Sequence, residues 1–277
     1  MKKFFALLAF ASVLCSVSAQ RVNETVTLFG KEQLNGFTIN VDNAPANIVS
    51  DALADLFETQ YAMKGSNKKG FRIYESQACS AFGESRYDIY YTTTTVGKKN
   101  NQYTQVTLVV SNGNMNCITF ASDPRTSRNI VAFLEDLPNN VEAYKTKLRI
   151  KQLEGELANL KKERESLTKN QGKINDNLKS TNDEIKRISE KIEQKTTEIQ
   201  KLQDQYNNNQ DQTVKEQITA AVKEKESMQK TYNSKQKSLL KMNEDLYKTN
   251  TKLQANAKST EEKEAELQKL KQQQQQQ

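Results

Sequence analysis

The chain has 277 residues, 35% of them hydrophobic, and a net charge of +7 from 41 Lys and Arg against 34 Asp and Glu, with no histidine. Without histidine, serine–histidine and cysteine–histidine nucleophile pairs and histidine-bound zinc or iron are excluded, because the usual neutral-pH base and ligand is missing. No Cys-x-x-Cys pair, phosphate-cradling Gly-x-x-x-x-Gly-Lys loop or calcium-loop pattern is present either.

The expectation is therefore a non-enzymatic protein with no catalytic residue, no cofactor and no metal. Paired carboxylates or a lysine in the N-terminal half are the catalytic chemistry that the composition leaves, as a minor class. Residues 1–19 read as an export signal. Lys2 and Lys3 give a positive start, Phe4 to Val17 are almost wholly apolar, and Val17-Ser18-Ala19 places small residues where a signal peptidase reads them. The apolar run is shorter than the roughly 20 residues a bilayer span needs. Leu14 stands before Cys15, where a lipoprotein signal has a small residue. Cleavage after Ala19 leaves Gln20 first and no transmembrane segment behind, so a secreted or periplasmic location is expected. In such an oxidising compartment Cys79 and Cys117 have two readings, a disulfide or free core thiols.

Composition shifts at Pro138. Every proline lies at or before it, and from Val141 to Gln277 the only glycines are Gly155 and Gly172. Residues 20–138 are read as a small α+β domain, a helix-covered antiparallel sheet. Phe37 to Val41 alternates as a strand. Asn43-Ala44-Pro45 then opens a helix in which Ile48, Val49, Ala52, Leu53, Leu56 and Phe57 recur at helical spacing. Lys64 to Gly70 reads as a turn and Phe71 to Tyr74 as a short strand. A three-strand meander follows. A four-residue loop, Gly97 to Asn100, sets Tyr87, Ile89 and Tyr91 opposite Val110, Leu108 and Val106. The Asn112-Gly113 turn sets Met115 and Cys117 opposite Val110 and Leu108, with Cys117 pointing into the core. Asp123-Pro124 starts a last helix carrying Ile130, Val131, Phe133, Leu134 and Leu137. The meander's other face bears Tyr90, Thr92, Thr94, Gln105, Thr107, Val109 and Ile118, of which Tyr90, Thr92, Thr94, Gln105 and Thr107 are a candidate binding surface.

Residues 139–206 are read as the first helix of a coiled coil. With Ile150 at a, the a and d positions include Ile150, Leu153, Leu157, Leu160, Leu167, Ile174, Leu178, Ile185, Ile188, Ile192, Ile199 and Leu202. Thirteen of seventeen seam positions are apolar, about twice the share that random placement gives, so the segment is not a solvated charged helix. Residues 207–212 form a polar loop. Thr213 to Glu216 has the form of a capping box that restarts a helix over 213–271, seamed by Ile218, Leu239, Leu246, Leu253 and Leu267 among others. Near-equal arms predict an antiparallel hairpin, with one long interrupted helix dimerising between chains as the competing arrangement. Arg164, Gln171, Thr181, Lys195, Lys225, Lys235, Asn256 and Lys263 interrupt the seam. They either fix its register or mark where the arms splay. Residues 272–277 are expected to be a frayed, disordered glutamine tail.

The basic excess belongs to the helical part, where 28 Lys and Arg face 22 Asp and Glu from Val141 onward. These charges alternate at helical spacing rather than forming one phosphate-tracking stripe, which argues against nucleic acid. Weak contact with an anionic envelope surface is expected instead. The function expected is that of an exported structural or interaction protein, in which a globular domain docks and a coiled-coil arm contacts a protein partner, self-associates or spaces. The alternative is a periplasmic holdase-like chaperone with basic helical arms.

Overall fold

The computed structural model describes residues 22–98 and 102–276. The export signal expected over residues 1–19 lies outside them. Two units follow in sequence, one reaching Leu148 and one starting at Arg149.

The first unit is a six-stranded antiparallel sheet with strand order β1-β2-β6-β5-β4-β3. β1 (Asn23–Phe29) was not expected from the sequence. It pairs with β2 (Glu32–Asp42) through the two-residue turn Gly30-Lys31, where Gly30 takes φ +70°. A glycine in that conformation at the first turn position suits the right-handed twist of a hairpin. Lys64 to Gly70, expected as a plain turn, contains the short strand β3 (Ser66–Lys68), which pairs with β4 (Phe71–Ala78).

β5 (Arg86–Val96) and β6 (Tyr103–Ser111) form the meander, two residues away from the expected register. Ile89 faces Val110 and Tyr91 faces Leu108, because six residues rather than four separate Val96 from Tyr103. A slip of two keeps every side chain on its own face, so the apolar set Tyr87, Ile89, Tyr91, Val106, Leu108 and Val110 still enters the core. The third meander strand does not form. Gly113, Asn114 and Met115 all take positive φ, and only Cys117 bridges back, to Ser111. The wider turn places Cys117 opposite Ser111, three positions from its expected partner Leu108, and this odd slip turns it to the other sheet face, half-buried rather than in the main core.

α1 (Ala46–Asp55) and α2 (Pro124–Glu135) cover one sheet face. Three hydroxyls of the sheet hold the start of α1. Thr104 donates to the Ala44 carbonyl at 2.6 Å, Thr93 to Ala46 at 3.1 Å and Tyr91 to Ser50 at 2.9 Å. α1 continues into a π-helical turn, Leu56–Gln60, that drives Phe57 into the centre of the core. Its ring lies 5.1 Å from Tyr74 and 5.4 Å from Phe133. α2 is capped by Asp123, whose carboxylate accepts from the Thr126 amide at 3.0 Å. Ile130, Phe133, Leu134, Leu137 and Val141 complete the core.

The second unit consists of α3 (Leu137–Asn209), from Arg149 onward, and α4 (Gln212–Gln276), packed as an antiparallel helical hairpin. The link is tighter than the six-residue loop expected, since only Gln210 and Asp211 are non-helical and Gln210 takes φ 47°. The helix restarts one residue before Thr213, and Asp211 replaces the expected capping box by accepting from the Thr213 amide at 2.8 Å. Glutamine is a good helix former. α4 accordingly runs through the glutamine run to Gln276, where a frayed tail was expected.

Candidate functional site

The candidate surface Tyr90, Thr92, Thr94, Gln105 and Thr107 lies on the sheet face away from α1 and α2. Tyr90 is not exposed there. It is 7% accessible and packs with Phe29, Leu34, Phe71, Ile73 and Val109 in a second apolar cluster. Phe29 is on the edge strand β1 and Phe71 on β4, four strands away, yet their rings lie 5.7 Å apart, and the Lys69 ammonium sits 4.3 Å over Phe29. Twist accounts for this. In a right-handed twisted sheet diagonal corners curl toward the same side, and the β1-β2 and β3-β4 turns are such corners. The remaining candidates form a polar strip in which Thr92 faces Thr107 and Thr94 faces Gln105. Ile118, read with this face, instead belongs to the main core.

Pockets open in this unit among the described residues. One, of about 270 Å³, is lined by Gln60, Tyr61, Asn129, Phe133, Asp136 and Asn140, among others. Its one carboxylate, Asp136, already accepts from the amides of Asn139 at 2.9 Å and Asn140 at 3.1 Å. Burial pushes the Tyr61 phenol up from its ordinary value, so it stays protonated. Another, of about 230 Å³, includes Arg72. That guanidinium is paired with Glu58, which also accepts from the Tyr74 hydroxyl at 3.2 Å. Neither pocket brings together the two free carboxylates that hydrolysis by an acid/base pair needs. No group of three or more Cys, Asp or Glu side chains among the described residues is placed to hold a metal ion.

Cys79 and Cys117 are both free. Cys79 belongs to the main core and Cys117 to the cluster on the opposite sheet face, so the sheet itself separates the two thiols. The disulfide reading is thus corrected.

The hairpin carries the most ordered pattern of polar side chains. Every apolar seam residue named above, from Ile150 to Leu267, is buried or half-buried. Five of the polar seam residues, Gln171, Lys195, Lys235, Asn256 and Lys263, bond across the arms. Lys263 bonds Glu156, and Asn256 donates to Glu163 at 3.0 Å. Asn170 donates to Thr249 at 3.4 Å, Lys235 pairs with Glu184, and Lys195 reaches Glu224 at 2.9 Å. In all five pairs the two residue numbers sum to 419. Each step up α3 is therefore matched by an equal step down α4, and the midpoint falls between Asn209 and Gln210. Gln171 adds a bond to Asn250 at 2.7 Å. Near the open end Arg149 grips Glu266 through two bonds of 2.7 and 3.0 Å, and Lys271 meets Glu154 at 2.8 Å.

These contacts set the local ionisation. The Lys263 ammonium holds the Glu156 carboxyl below its usual range, and Arg149 does the same to Glu266. Glu198 and then Glu224 raise the Lys195 ammonium. Arg164 alone among the polar interruptions is exposed. Of the two readings of these residues, register or splay, the cross-arm bonds of Gln171, Lys195, Lys235, Asn256 and Lys263 favour register at those five positions. No family model, curated protein or solved structure matches the chain.

Sequence reasoning located the seam but not its pairing, because heptads assign faces and not partners. Four of the five rungs were nevertheless present in the sequence as heptad-spaced Glu156, Glu163, Asn170 and Glu184 on one arm and Lys263, Asn256, Thr249 and Lys235 on the other, whereas the Lys195–Glu224 rung has the charges reversed and lies eleven residues on. On the outside of α4 the exposed Leu240 and Tyr247, 69% and 73% accessible, lie seven residues apart and so on one stripe. No helix among the described residues is long and apolar enough to cross a membrane.

Proposed function

We propose that the protein is an exported, non-enzymatic interaction protein in which the α+β domain docks and the helical hairpin acts as a closed spacer presenting a contact surface. The reading rests chiefly on the five-pair ladder between α3 and α4. Side chains that would have to clasp a client are spent on the opposite arm, and the apolar seam is shut between them. What remains for a protein partner on the outside is the Leu240 and Tyr247 stripe, at the spacing with which one helix meets another. The absence of histidine and the single, already bonded carboxylate of the pocket beside Tyr61 support a role without catalysis. The basic excess of the hairpin adds a weak, salt-sensitive attraction to anionic envelope surfaces. Export follows from the first nineteen residues.

An aggregation assay on a thermally unfolded client tests this. The purified chain is expected to leave aggregation unchanged at near-stoichiometric amounts, and suppression there would replace the spacer with a holdase-like chaperone. N-terminal sequencing of the protein from its native compartment is expected to begin at Gln20. A product beginning at Met1 would remove export.

A further inference from the structure

The two edges of the sheet are built differently. β3 is three residues long, ends on Lys68 and is followed by Lys69, the length and charge that keep an edge from pairing with another chain. β1 has neither the short length nor the lysines, and its one charge is Glu24 near its start. It runs seven residues without proline, lysine, arginine or bulge, no strand among the described residues lies on its outer side, and its Val26 and Leu28 are 59% and 62% exposed.

We infer that β1 is a homodimer edge, pairing antiparallel with β1 of a second copy about a two-fold axis at Val26 to join two six-stranded sheets into one. The direction of the backbone groups selects this axis. In a two-residue hairpin the flanking pair, here Phe29 and Glu32, exchanges both hydrogen bonds, and such pairs alternate along the ladder. Phe29, Thr27 and Thr25 therefore turn their amides toward β2, while Leu28, Val26 and Glu24 turn theirs outward. With the axis at Val26, Val26 meets its own copy and Glu24 meets Leu28 in both directions. Every outward donor from Glu24 to Leu28 then finds an acceptor.

The side chains agree with the backbone. Glu24, Val26 and Leu28 share one face, so the axis brings the two exposed valines together and lays each leucine on the stem of the other copy's Glu24. The Glu24 carboxylate is already held beside Phe120, whose amide donates to it at 2.6 Å. Phe120 is 42% exposed with its ring 5.7 Å from Phe37, so the same pairing carries Leu28 of one chain toward Phe120 of the other. Thr25 falls opposite Thr27. No like charges meet, because Glu24 is the only charged residue of β1. With threonines on both sides of the central valine and a single charge that meets only leucine, the strand is complementary to itself about Val26, which suits a second copy better than an unrelated segment.

The test is the light-scattering mass of the full chain across a micromolar concentration range, with two variants. Val26→Pro removes only an outward amide and leaves the β1-β2 bonds intact, as an edge position allows. Val26→Lys places a charge on the axis. The unsubstituted chain is expected to have twice the mass of one chain and both variants half that value, with circular dichroism unchanged; if Val26→Pro fails to fold, Val26→Lys decides. Under mild oxidation a mixture of Thr25→Cys and Thr27→Cys chains is expected to cross-link between the two variants well above either alone. A monomeric unsubstituted chain, or a dimer that survives Val26→Lys, would overturn the assignment and leave self-association to the hairpin or to none of the chain.

Discussion

Asn256 of α4 donates through Nδ2 both to the Glu163 carboxylate and to the Leu160 carbonyl of α3, each at 3.0 Å. Its own Oδ1 is buried without a partner among the described residues. One amide thus reads position and orientation of the facing helix at once, at the cost of one unpaired acceptor. Such a group destabilises when buried but penalises every other alignment more.

Asn256→Leu is accordingly expected to raise the melting temperature of the hairpin, by a stability gain of about 1 kcal/mol, while loosening its register. Cysteines placed at Glu184 and Lys235 read the register by cross-linking yield. A lower melting temperature in Asn256→Leu would show that the amide stabilises more than its unpaired oxygen costs.

The ladder also predicts a charge exchange. Lys235→Glu sets two carboxylates against each other at the Glu184 rung and is expected to cost about 0.5 kcal/mol, as half-exposed pairs do. The combined Lys235→Glu and Glu184→Lys change should recover most of it. Thermal melts of the three variants check this, and strictly additive losses would mean that the rung does not contribute.

The hairpin should be most stable between mildly acidic and mildly alkaline pH. Glu156 and Glu266 have lowered folded values, so their contribution is complete above the ordinary glutamate value of about 4.3 and fades as pH falls through the folded ones. Lys195 has a raised folded value, so its contribution is complete below about 10.4 and fades as pH rises beyond it. Melting temperature against pH should therefore fall off on both sides. A curve flat into acid would show that these carboxylates are unpaired in solution.

Much of this was legible beforehand. Heptad positions from Ile150 to Leu202 declared a buried stripe, and the near-equal arms declared a hairpin, because both depend only on local periodicity. The link is shorter than the composition suggests, since the exposed Asn207 to Asn209 continue α3 despite their weak propensity until Gln210 turns the chain with a positive φ. β1 escaped notice because Thr25 and Thr27 dilute its alternation. Tyr90 looked like an exposed ring because the curl of the sheet, which folds Phe29 and Phe71 over it, is a property of all six strands and of no segment. The partner of each polar seam residue is a long-range fact of the same kind.

The cysteines give a chemical check on that curl. Burial pushes the Cys79 thiol up to about 11, and burial also raises Cys117. Alkylation at neutral pH without reductant should label both, Cys117 first and Cys79 only at the rate of unfolding. Recovery of a Cys79–Cys117 disulfide peptide would contradict their placement on opposite faces of the sheet.

The constant sum across the arms constrains how this hairpin can change length. One residue deleted from α4 turns everything beyond it by about 100° and shifts it by 1.5 Å, so every rung past that point loses its mate. A seven-residue insertion confined to one arm restores the faces but moves the crossing charges out of step. Only near-whole numbers of turns, such as seven or eleven residues, gained or lost in both arms at mirrored sites leave the rungs aligned, so this arm can lengthen or shorten only in paired increments, about 10 Å for a heptad.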